Sequence, residues 1–169
     1  PIPSRGLGDV YKRQDLGGGL GIPYSDESLA DLNAYNQIIL ETVGDLDCKL
    51  SIEPGRYLVG EAGILITRVI YIKQGEQKKF VIVDGAMNDL IRPTLYDGFH
   101  AIVPVTEKNL SSQKSLCDVV GPICESGDYF AKDRMLPEVS QNDLLAITCS
   151  GAYGAVMASN YNSRPLIPE

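Results

Sequence analysis

Past Gly63 the sequence becomes a succession of short β-rich runs, and this restricts the fold more than any other feature. "ILITRVIYIK", "KFVIVDGA", "HAIVPV", "CDVVGPI" and "DLLAIT" are separated by Gly, Pro, Asn and Asp, the spacing of a β-sandwich or β-barrel. The stretch before it has a different rhythm. "DLGGGLG" reads as a strand end turning into a glycine loop, and Leu29, Leu32, Ile39 and Val43 give residues 28–43 helical spacing. Gly44 is the stop signal of that helix. "CKLSIEPGRYLVG" follows as a short strand broken at Glu53-Pro54-Gly55. This is the βα alternation of a parallel sheet or barrel. The expected fold class is α/β followed by all-β, with the boundary near residue 60. Residues 15–60 form the first unit and residues 61–169 the second, whose last segment, "NYNSRPLIPE", ends without a clear terminating element.

Residues 1–14 stand apart. Back-translated, Ser4 to Gln14 resembles a widely used transposase-based sequencing adapter over every codon, so residues 1–14 are expected to be translated adapter. A net charge of -7 argues against a general binder of nucleic acid or anionic membranes. No apolar run is long enough to span a bilayer. Cys48, Cys117, Cys124 and Cys149 form no C-x-x-C pair, and the single His100 lies far from any metal-ligand pattern. Reduced thiols and no metal site are expected.

Several stretches could carry chemistry. Gly17, Gly18 and Gly19 at a strand end would let backbone N–H groups approach an anion, although a mobile turn reads equally well. "EPGR" stands at the next strand end. Gly55 and Arg56 would suit the same phosphate, and Glu53 could face a cofactor ring nitrogen and keep it protonated. A Pro54-Gly55 turn with an exposed arginine is the alternative. In "VGPICESGDYF", Cys124 beside Glu125 could donate a proton or attack as a nucleophile, while a buried, inert cysteine is the commoner case. Arg92 and Tyr96 are four apart in "NDLIRPTLYDGFH". An Arg fork suits a substrate carboxylate, or equally a surface salt bridge. Tyr153, among small residues in "CSGAYGAVMASNYN", could reach a ligand or pack as an ordinary aromatic.

Taken in this order, the motifs from Asp15 to Glu169 resemble the diaminopimelate decarboxylase family, pyridoxal-phosphate enzymes of the alanine-racemase-like fold. The resemblance implies the end of a β/α (TIM) barrel followed by a β domain, in a cytoplasmic homodimer with active sites at the subunit interface. It implies that Gly17, Gly18, Gly19, Gly55 and Arg56 hold the cofactor phosphate within the "EPGR" turn that contains Pro54, and that Glu53 pairs with the pyridine nitrogen. Arg56, Arg92 and Tyr96 would contact the substrate, Arg92 at its distal carboxylate, and Tyr153 would touch both cofactor and substrate. Cys124 and Glu125 would reach into the partner's site, Cys124 as proton donor and Glu125 as reader of the distal amino group. The implied reaction is decarboxylation of meso-2,6-diaminopimelate to L-lysine, the last step of lysine biosynthesis.

The family's cofactor-bearing lysine and ring-stacking histidine belong to upstream barrel strands. None of Lys12, Lys49, Lys73, Lys78, Lys79, Lys108, Lys114 and Lys132 stands in that lysine's context. The chain as given is therefore expected to be an inactive, poorly soluble fragment. Decarboxylases of ornithine, arginine or carboxynorspermidine share the glycine loop and "EPGR". A second substrate carboxylate calls for an arginine such as Arg92, whereas a basic terminus calls for acidic partners. A relaxed D-amino-acid decarboxylase, or a non-catalytic homologue that binds partners, are the other readings.

Overall fold

The computed structural model describes residues 13–169, apart from the side chains of residues 108 and 109. The expectation about residues 1–12 lies outside the described residues. Arg13 and Gln14 belong to a short strand, β1 (Arg13–Asp15), which pairs in parallel with β2 (Lys49–Ser51). This pairing is made by backbone groups, so it does not bear on where those two residues come from.

Helix α1 (Leu32–Val43) connects the two strands. It begins later than the apolar spacing suggested, because Asp31 caps it by accepting the backbone N–H groups of Asn33 (2.9 Å) and Ala34 (3.1 Å). A side-chain oxygen there satisfies donors that have no partner within the helix. Upstream, the Glu27 carboxylate accepts the N–H groups of Tyr24 (2.7 Å) and Ser25 (2.9 Å) and holds a bend in place of a helical turn. Gly44 ends α1 as expected, donating its N–H to the Leu40 carbonyl at 3.1 Å.

Beyond a short helix, α2 (Gly55–Val59), six strands form one mixed sheet. They are β3 (Leu65–Gln74), β4 (Lys79–Val83), β5 (Ile102–Pro104), β6 (Lys114–Val120), β7 (Tyr129–Pro137) and β8 (Leu144–Ile147), in the order β5-β8-β3-β4-β6-β7. All neighbours are antiparallel except β4 and β6. The edge strands β5 and β7 approach each other, so the sheet nearly closes on itself. Of the two arrangements expected, this is the barrel-like one, short of closure.

The period-two alternation of β3 explains its placement. Leu65, Thr67 and Val69 face inward while Ile66 and Arg68 face out. The core is built from Leu65, Val69, Val81, Val83, Leu90, Val119, Phe130, Leu136, Leu145 and Ile147, with smaller residues between them. Strand β7 was not among the expected strands, because Lys132, Asp133 and Arg134 interrupt its apolar pattern. Asp133 adopts a left-handed backbone (φ 48°) and the β6–β7 register shifts nearby, which turns the charged stretch outward. A short helix, α3 (Arg92–Tyr96), packs on β7; Pro93 is tolerated because it sits in the first turn.

Candidate functional site

Strands β1 and β2 end side by side, which places the glycine loop against "EPGR". The Glu53 N–H donates to the Gly17 carbonyl at 2.8 Å. Gly17 (φ 74°) and Gly19 (φ 97°) occupy the left-handed region, where a side chain is unfavourable. A Cβ on Gly18 would stand 2.8 Å from the Glu53 carbonyl oxygen. The loop is therefore bare backbone for steric reasons, and a cavity of about 250 Å³ opens over it. Its lining is Gly18, Gly19, Leu20, Gly21, Glu53, Gly55, Arg56 and Tyr153. Glycine N–H groups, one guanidinium and one carboxylate are a donor set suited to a phosphate carried on a protonated heterocycle, so these residues fit pyridoxal phosphate.

A second cavity, of about 330 Å³, lies alongside, lined by Arg56, Arg92, Tyr96, Tyr153 and Met157. Arg56 and Tyr153 belong to both. The Arg56 guanidinium carbon lies 5.4 Å from the Tyr153 ring centre, a cation–π geometry. Tyr153 itself has a left-handed backbone (φ 61°), uncommon for a bulky residue. The "CSGAYG" loop is fixed there by Ser150 N–H to the Gly63 carbonyl (2.8 Å) and Gly151 N–H to the Gly60 carbonyl (3.1 Å). A Cβ on Gly151 would collide with the Val59 carbonyl, so only glycine permits this close approach.

Of the residues expected in the site, Gly18, Gly19, Glu53, Gly55, Arg56, Arg92, Tyr96 and Tyr153 thus line two adjoining cavities. Gly17 and Pro54 shape them from behind: Gly17 through its carbonyl, and Pro54 by accepting the Leu58 N–H (3.1 Å) at the start of α2. Cys124 and Glu125 line neither cavity. Both are exposed on the turn between β6 and β7. The buried Asp128 carboxylate organises that turn, accepting the N–H groups of Ile123 (2.5 Å) and Met87 (2.7 Å). The Thr94 hydroxyl donates to the Gly127 carbonyl and ties the turn to α3.

Sequence reasoning missed His100 and Tyr24. His100 is fully buried, and its Nε2 lies 2.8 Å from Nη1 of Arg92. A guanidinium only donates, so Nε2 accepts, and Nδ1 carries the proton it gives to the Thr148 carbonyl at 2.8 Å. Burial, with the Arg92 and Arg134 charges adding to it, holds His100 below its ordinary pKa of 6.5, against the opposing Thr148 bond. Arg134 donates to the His100 carbonyl at 2.8 Å. Tyr24 sets its ring 4.6 Å from the Arg92 guanidinium carbon and edge-on to His100, with ring centres 5.3 Å apart. Met157 was also unforeseen. The only sequence signal for His100 was a lone histidine at the head of the apolar run "HAIVPV". Among the described residues no group of His, Cys, Asp and Glu could hold a metal ion, and no helix is long and apolar enough to cross a membrane.

The family described as pyridoxal-dependent decarboxylase, C-terminal sheet domain, matches residues 10–151. The chain belongs to this family. It is 53% identical to the diaminopimelate decarboxylase of Neisseria meningitidis serogroup A, over 93% of this chain and 38% of that protein. It is 48% identical to the diaminopimelate decarboxylase of Zymomonas mobilis, over 96% of this chain and 38% of that one. The crystal structure of the Helicobacter pylori diaminopimelate decarboxylase complexed with L-lysine superposes with a TM-score of 0.85 at 49% identity, covering 92% of this chain and 38% of that one. The chain thus spans about two fifths of the length of the curated relatives it matches.

Proposed function

We propose that this chain supplies part of the active site of a pyridoxal-phosphate-dependent decarboxylase that converts meso-2,6-diaminopimelate to L-lysine and CO2. The observation that carries the reading is the pair of adjoining cavities joined by Arg56 and Tyr153, one suited to a phosphate and the other holding a second arginine, Arg92. Two guanidiniums in one cavity favour a substrate with two carboxylates. A basic terminus would be repelled by Arg92, which disfavours ornithine and arginine.

When bound, pyridoxal phosphate withdraws the electron pair left on the α-carbon as CO2 departs. The Gly17–Gly19 loop, Gly55 and Arg56 hold its phosphate, and the Glu53 carboxylate keeps its ring nitrogen protonated. Tyr153 borders both cavities and orients cofactor and substrate together. Arg92 and Tyr96 fix the distal end of the substrate. Sγ of Cys124 delivers the proton that replaces the lost carboxylate, and Glu125 receives the distal ammonium group. Since Cys124 and Glu125 are exposed and outside both cavities, they serve the site of a second copy in a homodimer. Residues 15–60 complete a β/α barrel, residues 61–169 form the β domain, residues 1–14 are foreign to both, and the enzyme works in the cytoplasm.

The test uses the complete protein, without residues 1–14, loaded with pyridoxal phosphate. CO2 release from meso-diaminopimelate is compared with release from L-ornithine. Strong preference for diaminopimelate is expected. Preference for ornithine would overturn the role of Arg92, and no release from either would leave a binding protein.

A further inference from the structure

Arg92 is 7% exposed, yet no ion pair among the described residues involves it. A nearly buried guanidinium is normally matched by a carboxylate. Here its partners are uncharged: Nε2 of His100 at 2.8 Å and the face of Tyr24 at 4.6 Å. His100 is in turn locked by the Thr148 carbonyl, and its edge packs on Tyr24 at an interplanar angle of 80°. The same Tyr24 ring lies 6.0 Å from the Arg56 guanidinium carbon, so one aromatic plate serves both arginines of the cavity. A carboxylate in place of His100 would aim Arg92 equally well but would neutralise it and compete with any incoming anion.

We propose that His100 and Tyr24 are positioning residues forming a neutral clamp, which aims Arg92 into the cavity with its charge left free for a carboxylate of the ligand. The inference deepens the proposed function and rests on its reading of Arg92. Protonation of His100 turns Nε2 into a donor facing a guanidinium, so the clamp opens in acid. The groups facing His100 are Arg92, Tyr24, the Thr148 carbonyl and Arg134, and neither arginine can accept that proton.

The experiment takes the complete holoenzyme and reads three quantities: KM and kcat for meso-diaminopimelate, and the Kd of pimelate, a dicarboxylate of the same length without amino groups. His100→Phe is expected to raise both KM and Kd about thirtyfold, with kcat within about threefold, the loss of one charge-assisted bond. His100→Gln restores an acceptor and most of the affinity. It should also remove a rise in Kd that the wild type is expected to show only as pH falls below 6.5, because burial holds His100 under that value, a response that a merely structural histidine would not give. Should the buried variants fail to fold, Tyr24→Leu carries the test, with a rise of about tenfold in Kd that Tyr24→Phe largely reverses. Wild-type decarboxylation with a Kd unmoved by folded variants would overturn the clamp and leave the proposed reaction standing. A Kd that moves as described in a protein that spares diaminopimelate would overturn the reaction and leave the clamp. Absence of pimelate binding by the wild type would overturn the clamp.

Discussion

The two halves of the molecule share the candidate site but differ sharply in packing. Residues 13–60 contribute a single buried hydrophobic side chain, Ile22, and α1 buries none of its residues. The sheet that follows holds the whole cluster from Leu65 to Ile147. Yet the weakly packed half supplies the glycine loop, Glu53, Arg56 and Tyr24, and the helix and loops carried by the sheet supply Arg92, Tyr153 and His100. Recognition therefore depends on how the two are joined, at Gly60, Gly63 and Gly151, more than on either alone.

The contrast can be broken at four points. On the β6–β7 turn, Asp128→Ala strands the buried N–H of Ile123 and the partly buried N–H of Met87 and should cost about 2–4 kcal/mol, read from urea unfolding by circular dichroism. At the junction, Gly151→Ala forces the backbone of Val59 aside and should cost about 1–3 kcal/mol. Its more telling result, in the complete protein, is weaker retention of pyridoxal phosphate with the β signal intact. The third point is acidity. His100 is depressed by burial first, so below 6.5 the unfolded chain binds a proton that the native chain refuses. Stability should be flat above that pH and fall as pH drops from 6.5 towards the native value, and His100→Gln should remove this contribution. Last and smallest, Leu40→Ala on the exposed face of α1 should change the stability of the 169-residue chain by less than about 0.5 kcal/mol.

Local patterns account for what the sequence disclosed. The strands β3, β4, β5, β6 and β8 overlap the short β-rich runs, and "GGG" and "EPGR" were read at successive strand ends, which the structure sets side by side. Strand β7 escaped notice because a bulge hides three charged residues within it, and α3 because a proline near its start reads as a break. His100 and Tyr24 escaped for another reason. Their roles come from meeting Arg92 in space, from positions before β5 and after the glycine loop, and no spacing along the chain encodes such a meeting. The exposed position of Cys124, away from both cavities, was likewise not legible in its own residues, where a buried, inert cysteine is the commoner case.

The β3–β8 pairing, which joins Leu65 to Ile147 and Arg68 to Leu144, has a kinetic consequence. The β3–β4 and β6–β7 hairpins close over short connections, whereas β8 must reach β3 across nearly the entire sheet domain, the most expensive loop to close. Thr148, which locks His100, directly follows β8. The alignment of Arg92 is therefore expected to arrive with the slowest strand, so that during refolding hydrogen-exchange protection of β4 and β6 should precede recovery of dicarboxylate binding. A newly made chain would acquire its scaffold before it acquires its affinity.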